Sequence, residues 1–275
     1  MPAAYTATQK AAISQFTNIT QADNKTAARV LRSHNWNLEV AVNEHLEHGG
    51  PPQNAPLRAG LGKLFDKYRD NKAEPDLVGP EGTMKYFQDI GVDLEGVDVL
   101  IASELLKCEI LGELKRQNFI DGWASTNADT IPKQKSLLAA RKQSLTTPTS
   151  RPLFHAIYKH TFTIARQSTS QKVVPLEFAL TNWRTLFSSP SIEWRTESTP
   201  WLDYWCDFLE ARWKKSVNRD MWEQTYQFFE QTMQDESMDW YSEEGAWPSV
   251  IDEFVTFVRE EKRGGEGQAG EMDVE

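Results

Sequence analysis

The stretch NRDMWEQTYQFFEQTMQ, Asn218–Gln234, sets large apolar side chains at helical spacing. At about 100° of rotation per residue, with Asp220 as zero, four of them fall between roughly 180° and 240°. These four are Trp222, Tyr226, Phe229 and Met233. The pattern predicts a helix that buries one aromatic face, and Asp220 points away from that face into solvent.

A second helix is predicted to begin around Pro248, after a short turn. Its apolar stripe follows the i, i+3, i+4, i+7 spacing of an amphipathic helix and consists of Ile251, Phe254, Val255 and Val258. Asp252 lies roughly 110° from the middle of this stripe, at its exposed edge. The two helices must therefore pack through their apolar faces, which leaves Asp220 and Asp252 free to face a partner.

Helical spacing also recurs in most of the chain before these two helices. The clearest segments are 92–106, 152–165, 175–187 and 199–213. No long alternating β pattern and no Asn-Gly hairpin signal interrupts them. The sequence therefore predicts an all-α fold.

Composition shifts divide the chain into four parts. Residues 6–48 predict a small bundle of three helices, over 7–16, 24–33 and 38–47, with Asp23 and Asn37 as caps. Residues 49–59 lie in the Gly/Pro-rich stretch HGGPPQNAPLRAG and predict a linker. A larger helical domain follows over 60–262, and the Gly-rich acidic tail, 263–275, is expected to be disordered.

Composition also excludes several classes of protein. The chain has 30 Lys plus Arg against 40 Asp plus Glu, a net charge of −10. This sign argues against nucleic-acid binding and is compatible with a basic partner. No segment approaches the 18 or so apolar residues of a membrane span, and the N-terminus lacks a signal-peptide core. With only two cysteines, we expect a protein of the cytoplasm and nucleus.

Two segments resemble helix–loop–helix calcium hands. The first, DNKAEPDLVGPE (70–81), places Lys72 at a ligand position and Pro75 where the sharp turn needs glycine. The second, 107–118, keeps Gly112 at that turn position but offers too few oxygen ligands. We therefore predict calcium-hand-like helix pairs that are vestigial and hold no metal. A calcium sensor remains an alternative that a calcium-dependent melting temperature would reveal.

The chain shows no constellation typical of a catalytic centre. Cys108 lies in the apolar helical stretch ELLKCEIL, and Cys206 lies in a Trp-rich helix, where buried structural thiols are usual. His155 and His160 are five residues apart on one helix, about 140° around it, so they do not share a face. We predict no catalytic residue and no cofactor.

The stretch SEEGAWPSVIDEF, Ser242–Phe254, combines two acids with a small-residue turn. Gly245 is expected to supply an unusual φ and Ala246 a flat spot, while Trp247 anchors the turn. A flat apolar spot between exposed carboxylates suits docking of a surface that carries Lys or Arg. The alternative is that these acids are simply a solvated face whose charges favour a helix dipole.

Two of these stretches, RDMWEQTYQFF and EEGAWPSVIDEFVTF, closely resemble the signature of the defective-in-cullin-neddylation family. GELKRQNFIDGW (112–123) and LEFALTNW (176–183) resemble further family stretches. The resemblance covers about residues 60–262, the potentiating-neddylation or cullin-binding domain. The small bundle, with NKTAARVLRSHNWNLEVAVNEHL (24–46), resembles a ubiquitin-associated domain.

The resemblance implies a scaffold-type co-ligase without catalytic residues of its own. Such a protein holds the winged-helix end of a cullin close to the conjugating enzyme that carries the ubiquitin-like modifier Nedd. The family's cullin-docking patch is Asp, Ala and Asp, which correspond here to Asp220, Ala246 and Asp252.

The resemblance also implies a pocket for the acetylated N-terminal Met of the conjugating enzyme. By position its residues are Val99, Leu100, Ala102, Ser103, Leu106, Leu114 and Ile164. Leu114 and Ile164 replace aromatic residues that are common in the family, and each of the seven has an ordinary core position as its alternative interpretation.

The ubiquitin-associated domain departs from its usual pattern. Phe16-Thr17-Asn18-Ile19 stands where a Met-Gly-Phe type loop is usual, so at most weak binding of ubiquitin is expected. A rival function is a ubiquitin-binding adaptor that works mainly through this bundle.

Overall fold

The computed structural model describes residues 5–20, 22–47 and 55–263. The chain forms two compact units, residues 1–60 and 61–275, and the division falls inside a helix, α4. The smaller unit contains α1 (Ala7–Thr20), α2 (Asn24–Ser33) and α3 (Leu38–Glu47). Among the described residues, no helix combines the length and apolarity needed to cross a membrane.

The predicted caps and core of the small bundle are confirmed. Asp23 accepts hydrogen bonds from the backbone N–H groups of Lys25 and Thr26, at 2.8 and 3.0 Å, and Asn37 accepts one from Val40 at 3.2 Å. These bonds satisfy donors that a helix N-terminus leaves free. The three helices bury a common core, whose least exposed members are Phe16, Ala27, Leu31 and Ala41.

The first helix is longer than predicted. Phe16-Thr17-Asn18-Ile19, which was expected to replace a loop, continues α1 as a helical turn. The Thr20 hydroxyl donates to the Phe16 carbonyl at 2.8 Å and so holds this last turn. Ile19 is left 55% exposed on it.

The regular secondary structure of the remaining described chain consists of helices and four two-residue strands. In order it contains α4 (Ala55–Lys67), β1 (Leu77–Val78), α5 (Pro80–Asp89), α6 (Val97–Leu105), β2 (Leu114–Lys115), α7 (Arg116–Ser125), α8 (Ile131–Ser144), α9 (Arg151–Ile164), β3 (Val173–Val174), α10 (Leu176–Leu186), α11 (Trp201–Phe208), β4 (Val217–Asn218), α12 (Arg219–Gln234) and α13 (Ser249–Phe257). Leu209–Trp213 and Val258–Arg263 continue α11 and α13 as π-helix.

The calcium-hand-like helix pairs are confirmed, and there are two sets of them. Strand β1, between α4 and α5, pairs antiparallel with β2, between α6 and α7, with Val78 opposite Leu114. Strand β3, between α9 and α10, pairs in the same way with β4, between α11 and α12. The sequence predicted only the first set, because the loops of the second lack the run of acids that identifies a calcium loop.

Two boundaries differ from the predicted ones. Helix α4 begins at Ala55, so residues 55–59 of the predicted linker (49–59) are helical. Residues 49–54 of that linker and residues 264–275 of the predicted tail lie outside the described residues, while residue 263 ends the π-helix.

Aromatic side chains pack together in the interior of the second half of the larger unit. The Trp222 ring stacks on Trp183 at 4.9 Å and on Tyr158 at 4.8 Å. The Tyr158 hydroxyl donates to the Trp222 carbonyl at 2.6 Å, and the Trp222 indole donates to the Tyr158 carbonyl at 3.0 Å. Because these buried polar groups find partners, the large rings are buried without the cost of an unpaired donor.

Candidate functional site

Helix α12 places Asp220 in its first turn, on the surface. Asn218 caps the helix by accepting a hydrogen bond from the Met221 backbone N–H at 2.8 Å. Asp220 is exposed, as the helical pattern predicts. A carboxylate at this position also favours the positive end of the helix dipole, so its exposure alone does not mark it as functional.

The buried arc of α12 is wider than predicted. Trp222, Tyr226 and Phe229 are buried as expected, whereas Met233 is half-buried. Phe228 is fully buried although it lies only about 80° from Asp220. Its ring contacts Trp240, Trp247 and Phe254, at centroid distances of 5.5, 6.0 and 5.6 Å.

Aromatic contacts with the Phe228 ring hold the turn between α12 and α13 in place. Trp240 and Trp247 contact each other at 6.0 Å, and the Trp240 indole donates to the Asp235 carbonyl at 2.9 Å. Met238, buried, adopts a left-handed backbone with φ of 62°. The rings of Trp240 and Trp247 thus anchor the turn. Ala246, which directly precedes Trp247, remains exposed.

Gly245 has a different role from the one predicted. Its φ is outside the left-handed region, so the expectation of an unusual φ is wrong. What excludes a side chain is space, because a Cβ at Gly245 would lie 2.8 Å from the Ser242 carbonyl oxygen. The Gly245 N–H donates to that same carbonyl at 2.9 Å and closes the turn.

Asp252 is less free than the helical pattern predicts. It is half-buried in the first turn of α13, and its Oδ1 accepts a 2.6 Å hydrogen bond from the Tyr241 hydroxyl. Burial, followed by the hydrogen bond and charge of Asp252, raises the pKa of Tyr241 well above its usual value. Arg259 lies over the Tyr241 ring at 5.3 Å and donates to the Met238 carbonyl at 3.3 Å. Asp252 therefore has a fixed position.

The structure brings two of the three predicted docking residues to one place. Ala246 directly precedes Trp247, and Asp252 lies two residues before Phe254. The rings of Trp247 and Phe254 both contact the Phe228 ring. Asp220 lies eight residues before Phe228, which is about 12 Å along the helix axis. We refer to Asp220, Ala246 and Asp252 together as the acidic patch.

A separate open groove of about 670 Å³ lies between the first and second sets of helix pairs. Its lining is mainly apolar and includes three side chains that are 38–53% exposed, Leu94, Leu111 and Phe178. Exposed apolar side chains in a groove are typical of a binding site. The sequence analysis did not place these three in a binding site, because helical spacing does not show which apolar residues remain exposed in a groove between separate helices.

The seven residues predicted for the Met pocket divide into two groups. Val99, Leu100 and Ile164 line the groove. The other four are not in its lining but are buried in the core, with exposures of 0–2%; they are Ala102, Ser103, Leu106 and Leu114. The Ser103 hydroxyl is buried without a hydrogen-bond partner among the described residues.

An arginine satisfies the acceptors of the first calcium-like loop. The Arg116 guanidinium donates to Asp66 at 2.6 Å, to Asp76 at 2.9 Å and to the Pro75 carbonyl at 3.0 Å. Its hydrogen bond, and then its charge, hold the pKa of Asp66 below the usual value. Asp70, the first residue of the loop, instead accepts a hydrogen bond from the Gly82 N–H at 3.0 Å.

A second arginine has the same role in the loop that precedes β3. Arg166 donates to the carbonyls of Thr163, Thr169 and Gln171, at 3.2, 3.3 and 3.1 Å. In both loops a guanidinium therefore binds several oxygen atoms at once, as calcium does in a functional hand.

Neither cysteine is exposed as a nucleophile. Cys108 and Cys206 are both buried, and burial raises the pKa of each thiol to about 12, which keeps them protonated at neutral pH. Within the ranges 5–20, 22–47 and 55–263, no three His, Cys, Asp or Glu side chains are placed to hold a metal ion.

Comparison with known proteins places this architecture in a family. A family described as "Cullin binding" matches residues 133–257, from α8 to the end of α13, and a "UBA-like domain" matches residues 10–52. The chain is 32% identical to "Defective in cullin neddylation protein 1" of Pyricularia oryzae, over 98% of this chain and 99% of that protein.

Relatives from other organisms carry the same name. The Yarrowia lipolytica protein is 35% identical over 88% of this chain and 93% of its own length. The Caenorhabditis elegans protein is 27% identical over 92% of this chain and 90% of its own length. The Pyricularia oryzae relative is more than 30% identical over almost the full length of both chains. The chain therefore belongs to the defective in cullin neddylation protein family.

Proposed function

We propose that this protein binds a cullin through the acidic patch and acts as a co-ligase in cullin neddylation. The observation that carries the proposal is the surface around the Phe228 ring. There, an exposed alanine lies beside a carboxylate whose position is fixed by Tyr241. A small side chain lets a partner approach closely, and a fixed carboxylate orients a Lys or Arg at low entropic cost. This surface lies in the segment that matches the cullin-binding family.

The second contact of the proposed scaffold is the apolar groove, which would take the acetylated N-terminal Met of the Nedd conjugating enzyme. Its volume of about 670 Å³ and apolar lining suit a methionine side chain followed by extended peptide. Acetylation removes the terminal charge, whose burial beside Val99, Leu111 and Phe178 would be costly.

The proposed mechanism is proximity without chemistry by the protein itself. Holding the cullin and the charged conjugating enzyme together converts a bimolecular transfer into an effectively intramolecular one. The buried, protonated state of Cys108 and Cys206 supports a non-catalytic role, because neither thiol is available to carry the modifier as a thioester.

A purified reaction tests this function. Cullin, conjugating enzyme, activating enzyme and Nedd are combined with increasing amounts of the protein, and the rate of cullin modification is measured. The proposal expects a rate increase that Ala246→Arg abolishes and that Cys108→Ala and Cys206→Ala leave unchanged. No stimulation by the wild-type protein would refute it.

Deleting residues 1–54, which leaves α4 complete, separates this function from a ubiquitin-binding adaptor. Retained stimulation supports the co-ligase, and lost stimulation supports the adaptor. We also propose weak ubiquitin binding by the small bundle, since Ile19 and Val40 are 55% and 48% exposed. A cytoplasmic and nuclear location is likewise proposed.

A further inference from the structure

Four exposed cations surround the β3–β4 pair, beside the acidic patch. They are Lys172, which precedes β3, Lys214 and Lys215, which precede β4, and Arg219, which follows it. We call this set the basic patch. It is unexpected in a protein with a net charge of −10.

The cations of the basic patch lack carboxylate partners. Neighbouring cations have them, since Arg212 forms an ion pair with Glu261 and Lys262 with Asp207. Within the described ranges, no ion pair joins any of the four patch cations to an Asp or Glu. Their positive charge is therefore directed to solvent or to a partner.

The pairing of the two strands brings cations together. Val173 lies opposite Asn218, so Lys172 and Arg219 are the residues next to the same end of the strand pair. Arg219 is also the first residue of α12. Two like charges are therefore set next to one end of the β3–β4 pair, at exposed positions.

Apolar surface accompanies the charge. Val173 is 40% exposed at the centre of the patch, and the Lys215 ammonium lies 4.2 Å from the centre of the Trp213 ring. The Arg219 guanidinium is 4.9 Å from the Phe162 ring, which limits its movement. Cations held over rings around an exposed valine are suited to a protein partner, whose contacts combine charge with apolar burial.

The basic patch and the acidic patch are adjacent at Arg219 and Asp220, which are consecutive residues. Charges this close lie well within the Debye length of about 8 Å at physiological salt. A partner with a uniformly basic surface would be attracted by Asp220 and repelled by the four cations beside it.

From this juxtaposition we infer that the cullin surface that docks here is bipolar, presenting a basic group to Asp220 and an acidic segment to the basic patch. The inference rests on the proposed function and deepens it by specifying the partner's second feature. Opposite charges on both sides would fix the orientation of the complex, since a rotated partner would set like charges against each other.

A double charge reversal, Lys214→Glu with Lys215→Glu, tests the inference. Its matched control is Lys63→Glu with Lys85→Glu, which makes the same change in net charge on exposed residues of α4 and α5. Each full-length protein is titrated with the winged-helix domain of a cullin by calorimetry at two salt concentrations. Circular dichroism checks the fold, and Asp220→Ala reports on the acidic patch.

The expected result is a loss of affinity of roughly tenfold for the Lys214/Lys215 variant, shrinking at high salt, against less than about twofold for the control. Affinity equal to or above that of wild type would overturn the inference, because removing cations strengthens binding to a uniformly basic surface. A wild-type protein that does not bind the cullin domain refutes the proposed function itself.

Discussion

The Tyr241 hydroxyl donates a 2.6 Å hydrogen bond to Oδ1 of Asp252, and it thereby links the turn after α12 to the first turn of α13. The bond decides where a half-buried carboxylate lies relative to the exposed Ala246. It also gives Asp252 a structural role in addition to any role in docking. The two roles can be separated experimentally.

Tyr241→Phe is expected to destabilise the protein by about 1.5 kcal/mol, at the lower end for a hydrogen bond to a charged group because the site is partly exposed. Cullin affinity should fall by a few-fold, because Asp252 loses its fixed position. Urea unfolding and calorimetry measure the two effects. The control is Tyr204→Phe, since the Tyr204 hydroxyl makes no hydrogen bond among the described residues. Equal effects of the two variants would contradict this role.

Ala246→Arg and Asp220→Ala are expected to abolish cullin binding without unfolding the protein. Both positions are exposed, so neither change disturbs the core, while arginine at position 246 blocks close approach and opposes a basic partner. A cullin pull-down with melting temperatures measures this. Ala139→Arg, at an exposed alanine of α8, is the control. Full-strength capture by the Ala246→Arg protein would show that the acidic patch is not the docking site.

Leu111→Asp is expected to weaken binding of an N-acetylated peptide from the conjugating enzyme by roughly tenfold or more, since it places a charge in an apolar groove. Leu111 is 53% exposed, so the fold should tolerate the change. Fluorescence anisotropy with acetylated and free-amine peptides provides the measurement. Met84→Asp, at a methionine 51% exposed on α5, is the control. If Leu111→Asp binds the acetylated peptide normally, the peptide uses another surface.

Arg116→Gln is expected to lower the free energy of unfolding by about 2 kcal/mol, because it removes charge-assisted hydrogen bonds to Asp66, Asp76 and Pro75. Lys115→Gln, which loses only an exposed pair with Glu109, should cost well under about 1 kcal/mol. Calcium should not shift the melting temperature of wild type or variant. A stabilising shift with calcium would show that the loop retains an ion site.

Acidification below about pH 6.5 is expected to loosen the packing of α6 against α9. Burial, followed by the charge of Lys107, lowers the pKa of His160, and the charge of Glu104 opposes this only partly. The unfolded chain therefore binds the proton more readily, so this stability is present at neutral pH and is lost as the pH falls through 6.5.

Hydrogen exchange of α6 and α9 amides between pH 5 and 7.5 measures this effect. His160→Phe should flatten the pH dependence of exchange in these two helices. An unchanged pH dependence in the variant would assign the effect to groups other than His160.

Local patterns in the sequence predicted most of the helices. Asp23 and Asn37 act as caps, and Ile251, Phe254, Val255 and Val258 are buried, because capping and amphipathic spacing depend on residues within one or two turns. The extension of α1 over residues 17–20 was missed, because the resemblance to a ubiquitin-associated domain suggested a loop at Phe16–Ile19.

Long-range contacts account for what was not predicted. The pairing of β3 with β4 joins residues more than 40 positions apart, and Arg116 reaches a loop 40 residues earlier. Neither of these two contacts produces a periodic pattern in the sequence. The burial of Ala102, Ser103, Leu106 and Leu114 behind the groove likewise depends on which helices cover α6.

The sequence by itself determined the helical class, the two-unit organisation and the outward direction of Asp220, because hydrophobic period and composition act along the chain. Only the tertiary structure decided that Asp252 is fixed by Tyr241, that arginines bind oxygen atoms in and beside two loops, and that four cations lie around the β3–β4 pair next to Asp220. These features arise where separate elements meet, and the energies of such contacts depend on distance in space rather than on separation in the chain.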